Sequence, residues 1–543
     1  MLEQMTLAQK AGQLVMTGFP GNEPGTEAET LVRDYCVGGV VLTARQTPDT
    51  AQTARTTGRL QELAAASASC AGVPLFIAAD QEGGYVVRLR GPHLFPGNMA
   101  LGAIGSAGRA REVARAIGLE LKAAGINMNL APVLDVNSNP QNPVIGVRSF
   151  GEDAAAVAEL GAAYIAGLHD AGVLAVAKHF PGHGDTAVDS HISLPSVPHA
   201  RERLDRVELV PFRRAIDTGV DAVMTSHVTF PAIEPIPGLP ATLSAKVLTG
   251  LLREELGFAG LIITDALEMK AIVDNFGLAE AAVKAVEAGA DIVLVGWPTD
   301  WRQACRAVEA IMAAVKEGKV SEERLNASVR RILRAKLAAG LWKEASATTA
   351  AESAALAETV AGEAVTLVRD RDRRLPLNPQ DTSSVLVIMP QLSSITRVEE
   401  TDPASAGLAA YLRRYLPRAE VTGAFMSLRP GKEERERLVK LAQEHEVVVV
   451  ATYYAWSASY IGQAELVLEL MRAGREPVVT ALREPYDLLR FPEVGTYIAT
   501  YSANPESLEA LAAVLTGRRE ATGRLPVSLP GLYSAGYRYE GAR

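Results

Sequence analysis

VLAVAKHFPGHGDTAVDSH, residues 173–191, is the stretch on which the reading of the fold turns. Its first five residues are an unbroken run of apolar side chains. A run without polar alternation is what a parallel strand covered on both faces looks like. The run ends on two polar residues, Lys178 and His179. Pro181, Gly182 and Gly184 then force the chain into a loop. A buried strand that delivers ionisable groups into a loop is therefore the unit to look for elsewhere.

It recurs. Comparable runs lie at 12–18 (GQLVMTG), 37–43 (VGGVVLT), 74–80 (PLFIAAD), 126–136 (INMNLAPVLDV), 222–228 (AVMTSHV), 260–265 (GLIITD) and 291–296 (DIVLVG). Alanine-rich amphipathic stretches fill the gaps, as at 109–124 and 279–288, the second followed by Gly289 as a helix stop. Eight such units predict an α/β fold whose N-terminal part is a (β/α)8 barrel of the TIM type. Polar residues also collect at the trailing ends of the runs: Asp80, Asp135, Lys178, His179, His227 and Asp265. In such a barrel those ends meet on one face, where chemistry is done.

The barrel is expected over residues 1–340, with 341–356 (LWKEASATTAAESAAL) as a polar, alanine-rich connector. Beyond it, apolar runs at 364–368, 384–389, 447–452, 477–481 and 496–501 alternate with helical patterns at 432–444 and 506–516. This predicts a smaller α/β sandwich domain of parallel strands over 357–543. It carries no glycine-rich phosphate loop and no histidine–carboxylate cluster.

Composition narrows the function classes. The chain has 543 residues, enough for two cores, with 48 % apolar and 22 % charged residues. A formal net charge of −9 argues against nucleic acid as a partner, since that needs a basic stripe. Cys36, Cys70 and Cys305 are odd in number and far apart, which indicates neither a disulfide framework nor a zinc site. No apolar stretch is long enough to span a membrane. The start lacks a basic segment followed by an apolar run, so a cytoplasmic location is expected; a leader removed ahead of Met1 would instead imply export.

Three of the eight histidines, His179, His183 and His191, fall within 178–191, together with Asp185 and Asp189. Composition alone leaves two readings: a functional loop on a rigid scaffold, or a solvated loop whose histidines cap and bridge. Asp265 is similarly double-valued, as a reactive carboxylate in the barrel mouth or as the cap of the next helix.

The motifs themselves carry a resemblance. KHFPGHGDTAVDSH at 178–191, DQEGGYVVR at 80–88, GVRSFG at 146–151 and ITD at 263–265 resemble glycoside hydrolase family 3 β-N-acetylglucosaminidases of the cell-wall-recycling (NagZ) type. Weaker similarity runs through 363–377 and 523–530, so it covers most of the chain and points to the two-domain form. The resemblance implies a retaining exo-hydrolase that releases terminal β-linked GlcNAc from muropeptide or chitooligosaccharide-type glycosides, without a cofactor or metal. It assigns Asp265 as nucleophile, His191 as acid/base and Asp189 as the residue that orients His191. It implies further that Asp80, Arg88, Arg148, Lys178 and His179 hold the terminal sugar.

This fits the chemistry, since retention needs a carboxylate nucleophile and a separate proton donor, and imidazole titrates near neutrality. Glu82 and Asp135 read as supporting hydrogen-bond partners, His183 and Asp185 as loop formers, and His227 and Met269 as near the site or in the core. Tyr85 departs from the pattern, standing where the family's DQEGGRV carries its first arginine. Three rivals remain at this stage: a metal-dependent barrel hydrolase using His179, His183, Asp185 and Asp265; a β-N-acetylglucosaminide phosphorylase on the same scaffold; and a non-catalytic peptidoglycan-binding protein.

Overall fold

Each of the eight apolar runs contributes one strand to a single parallel sheet, because side chains on both faces must find apolar neighbours. The strands are β1 (Val15–Thr17), β2 (Gly39–Val41), β3 (Phe76–Ala79), β4 (Met128–Asn129), β5 (Leu174–Phe180), β6 (Ala222–Thr225), β7 (Leu261–Ile263) and β8 (Val293–Leu294). They pair in sequence order, β1 pairs with β8 through Val15 and Val293, and Ile263 bridges to Ile292, so the sheet closes. The computed structural model thus has the (β/α)8 barrel, described over residues 1–91, 94–189, 193–295, 300–343, 353–396, 398–400 and 407–541. Helices cover it: Ala107–Ala123 starts on Ser106 and Ala154–Ala171 on Asp153, each cap oxygen accepting a backbone N–H.

The second sheet has six strands: β9 (Thr366–Asp370), β10 (Ser384–Pro390), β11 (Glu420–Met426), β12 (Val447–Thr452), β13 (Val478–Ala481) and β14 (Thr496–Ala499). Their spatial order is β9-β14-β13-β12-β10-β11. The expectation of parallel strands needs one correction, because β9 runs antiparallel to β14. All five expected runs are strands; β11, at the sheet edge, is additional.

The two cores interlock. Tyr85, Met99, Ala100, Ala103 and Val147, all from the barrel half of the chain, pack in the core of the second sheet. Helix Asn98–Ile104 thus follows β3 in sequence but is buried between the two units, also against helix Ser353–Ala364.

The cysteines depart from expectation. Cys36 and Cys70 form a disulfide across a sequence separation of 34, while Cys305 is free and buried. Each of the pair lies shortly before a barrel strand, β2 or β3, and those strands are neighbours. Adjacency in the barrel brings together what spacing in the sequence holds apart. The bridge lies at the N-terminal end of the strands, opposite the candidate site.

Candidate active site

At the C-terminal end of the barrel strands lies a hollow lined among others by Asp80, Glu82, Arg148, Lys178, His179, His183 and Asp265. Its apolar wall includes Leu130, Val144, Ile145, Met224 and Met269. Five of the expected site residues, Asp80, Arg148, Lys178, His179 and Asp265, therefore share one pocket. Arg88 reaches the group through Asp80, its Nη2 lying 3.9 Å from Asp80 Oδ2. Asp189 is buried at the end of the loop, and its carbonyl accepts the Ser193 N–H. His191 lies outside the described residues.

The sugar-binding candidates form one ion-pair network. Lys178 Nζ is 2.7 Å from both Asp80 Oδ1 and Glu82 Oε1, and Arg148 grips Glu82 with both arms at 2.8 and 2.9 Å. Burial alone would raise the Glu82 carboxyl, but Arg148 and Lys178 outweigh it and hold the group well below the usual carboxylate range. Glu82, read as a support, is thus the hub of the network. The same balance, burial opposed by Asp80 and Glu82, keeps Lys178 charged with its titration raised.

The hairpin Gln81–Gly83 with Val86–Val87 presents these groups. Gln81 acts as its template. Gln81 Oε1 accepts the N–H groups of Arg88 and Leu89, and its backbone N–H and C=O pair with the Asn129 amide on β4. Gly84 turns the hairpin at φ +59°, and a Cβ there would stand 2.9 Å from the Gly97 backbone.

Asp135 organises the other side. Asp135 Oδ2 lies 2.7 Å from His179 Nδ1, and Oδ1 accepts the His183 N–H at 2.6 Å. Burial works against the Asp135 anion, yet the neighbouring imidazoles hold its carboxyl low. His183, expected to shape the loop, does so but also lines the pocket. Burial pushes its imidazole down to about 4, so it is neutral at physiological pH. Its position, three residues into a Pro/Gly loop, gave no sequence signal for that.

Asp185 points elsewhere, pairing with His199 and lying 4.0 Å from Arg203. Of the four ligands of the metal-site rival, Asp185 is thus turned away to His199, and among the described residues no three His, Cys, Asp or Glu side chains are placed to hold a metal ion. His227 bonds Thr242 and the Ala266 carbonyl, which fixes the turn after β7. Asp265 accepts the Ala266 N–H at 2.7 Å and faces the pocket.

Tyr85 is not among the residues that line this pocket. Its ring packs edge-on against Tyr453 and its hydroxyl donates to the Leu482 carbonyl at 2.7 Å, both in the second unit. That unit in turn contributes Val398 to the pocket wall.

Comparison with known proteins agrees with this geometry. Residues 6–335 match the family model for the glycosyl hydrolase family 3 N terminal domain. A beta-hexosaminidase A from Pseudoalteromonas piscicida is 34 % identical over 93 % of this chain and 91 % of its own. A beta-N-acetylglucosaminidase/beta-glucosidase from Cellulomonas fimi is 31 % identical over 97 % of this chain and 94 % of its own. Among solved structures, a family 3 beta-N-acetylglucosaminidase from Paenibacillus sp. str. FPU-7 superposes with a TM-score of 0.90 at 44 % identity, covering 97 % of this chain and 99 % of that one. Barrel, pocket and relatives together make this chain a glycoside hydrolase, a member of glycosyl hydrolase family 3.

Proposed function

We propose that the protein is a retaining exo-β-N-acetylglucosaminidase that removes terminal β-linked GlcNAc. The observation that carries this reading is the placement of Asp265 in one pocket with the Asp80–Glu82–Arg148–Lys178 network and His179. Groups that pair with one another before substrate arrives are already oriented, so little energy is spent arranging them during the reaction. The names of the relatives support GlcNAc as the sugar.

In this mechanism the Asp265 carboxylate attacks the anomeric carbon as the bond to the leaving oxygen breaks. His191, oriented by Asp189, gives that oxygen its proton. The neutral imidazole then takes a proton from water, whose oxygen displaces Asp265 and restores the original anomeric configuration. Lys178, Arg148, Arg88, Asp80 and His179 hold the sugar meanwhile. The Cys36–Cys70 bridge favours an oxidising compartment, and so an exported enzyme over the cytoplasmic location expected from the sequence. Chitooligosaccharides or shed muropeptides are then the accessible substrates.

The test is turnover of p-nitrophenyl-GlcNAc together with the stereochemistry of the first product by NMR. β-GlcNAc is expected first, with turnover lost in Asp265→Ala. The α-anomer, a sugar phosphate formed in phosphate buffer, or wild-type rates in the variant would each overturn the reading.

A further inference from the structure

Arg88 is the cation in the network whose partners are incomplete. Lys178 and Arg148 both have carboxylates within hydrogen-bond distance, and between them they occupy Glu82 fully and one oxygen of Asp80. What remains for Arg88 is Asp80 Oδ2 at 3.9 Å and, on the other side, Glu400 Oε1 at 3.6 Å. Its side chain is only 4 % exposed, and its Nη1 makes no hydrogen bond among the described residues. A guanidinium taken this far out of water needs counter-charge, and open donors on it need acceptors. Within the barrel three cations, Arg88, Arg148 and Lys178, share the two carboxylates of Asp80 and Glu82; Glu400 is the third carboxylate and comes from the second unit.

Glu400 is held firmly enough to matter. Its backbone N–H donates to the Tyr85 carbonyl at 2.7 Å. Its neighbour Glu399 is buried, paired with Arg483 at 2.6 Å, and accepts the Ile395 N–H. On the other side of Glu399, Val398 lines the pocket. Arg483 in turn lies beneath the aromatic group of Tyr85, Tyr453 and Tyr454, 4.8 Å from the Tyr454 centroid. The segment is thus fastened to the barrel through Tyr85 and to its own sheet through Arg483.

We infer that Glu400 is a positioning residue that reaches across the junction between the two units and brackets the Arg88 guanidinium against Asp80, the carboxylate that lines the pocket. The inference rests on the reading that Arg88 binds the sugar. It gives the second unit a part in substrate binding, with no part in bond making.

Glu400 itself is 38 % exposed, so Glu400→Gln should fold normally, which its melting temperature checks. The expected result is a rise in KM for p-nitrophenyl-GlcNAc, and in Ki for GlcNAc, of about tenfold, with kcat within about threefold, as for a lost charged partner near a ligand. Glu400→Asp, which keeps the charge, should recover part of the loss. In an Arg88→Ala background, Glu400→Gln should change KM by less than about twofold, because the group it positions is gone. Wild-type KM in Glu400→Gln, or the same tenfold rise with Arg88 absent, overturns the inference. Wild-type KM in Arg88→Ala overturns instead the reading on which it rests.

Discussion

His179 Nδ1 stands 2.7 Å from Asp135 Oδ2, while the other oxygen of the same carboxylate holds the backbone of His183. One buried anion therefore fixes the tautomer and tilt of an imidazole in the pocket and the path of the loop that follows it. It also couples the two. Any change at Asp135 reaches the pocket wall through His179 and the loop through His183.

Asp135→Asn keeps the shape but can present an N–H to His179 Nδ1, which would expel the present tautomer. Activity on p-nitrophenyl-GlcNAc should fall by about 10- to 100-fold, the scale of an angstrom-level misplacement. Asp135→Ala should in addition destabilise the fold by about 3 kcal/mol, because a buried pair loses one member. Steady-state kinetics beside thermal melts separate the two effects; an unchanged kcat/KM in Asp135→Asn would contradict the first.

Stability should fall between pH 6.5 and 4. His183 titrates at about 4 in the fold, against about 6.5 in the unfolded chain, so within this window the unfolded chain binds more protons. The stabilisation is therefore complete above pH 6.5 and is lost as the pH drops towards 4, by up to about 3 kcal/mol. Melting temperatures measured across that window for the wild type and His183→Gln should show a shallower slope in the variant.

Tyr85→Phe deletes the donor to the Leu482 carbonyl in a buried interface and should cost about 1–2 kcal/mol. Tyr85→Arg, the residue expected from the resemblance, should cost more. It would set a second guanidinium beside Arg483, whose Cζ lies 5.7 Å from the Tyr85 ring centroid. Chemical denaturation of the two variants should rank them in that order.

Reduction of Cys36–Cys70 opens a loop of 34 residues and should remove about 3–4 kcal/mol of stability on chain-entropy grounds. The bridge lies at the end of the barrel remote from the pocket, so activity at 25 °C should persist in Cys36→Ser/Cys70→Ser while the melting temperature drops. Loss of activity without loss of stability would contradict this.

What could be read from the sequence follows burial. The eight barrel strands were legible because each is covered on both faces, and a doubly covered strand has to be a continuous apolar run. β11 was not, because it is an edge strand with only Val421 and Met426 buried and with Gly423 and Ala424 in its middle. The meeting of Asp80, Lys178, His179 and Asp265 in one pocket was legible because they end strands, and strand ends converge whatever else the chain does. Glu400 and the interface role of Tyr85 were not. Each takes its meaning from a surface contributed by the other unit, and nothing local to QLSSITRVEETD or DQEGGY encodes that partner. The disulfide was hidden in the same way, by a neighbourhood that exists only once β2 and β3 lie side by side.

Helix Asn98–Ile104 has a practical consequence for anyone who would treat the two halves as exchangeable modules. A cut at the connector follows the chain, yet leaves Met99, Ala100 and Ala103 on the barrel fragment while the cavity they fill departs with the other. A chimera with a foreign second half would have to import the stretch from Tyr85 through Ala103 along with it, so the unit of transplantation is discontinuous in sequence.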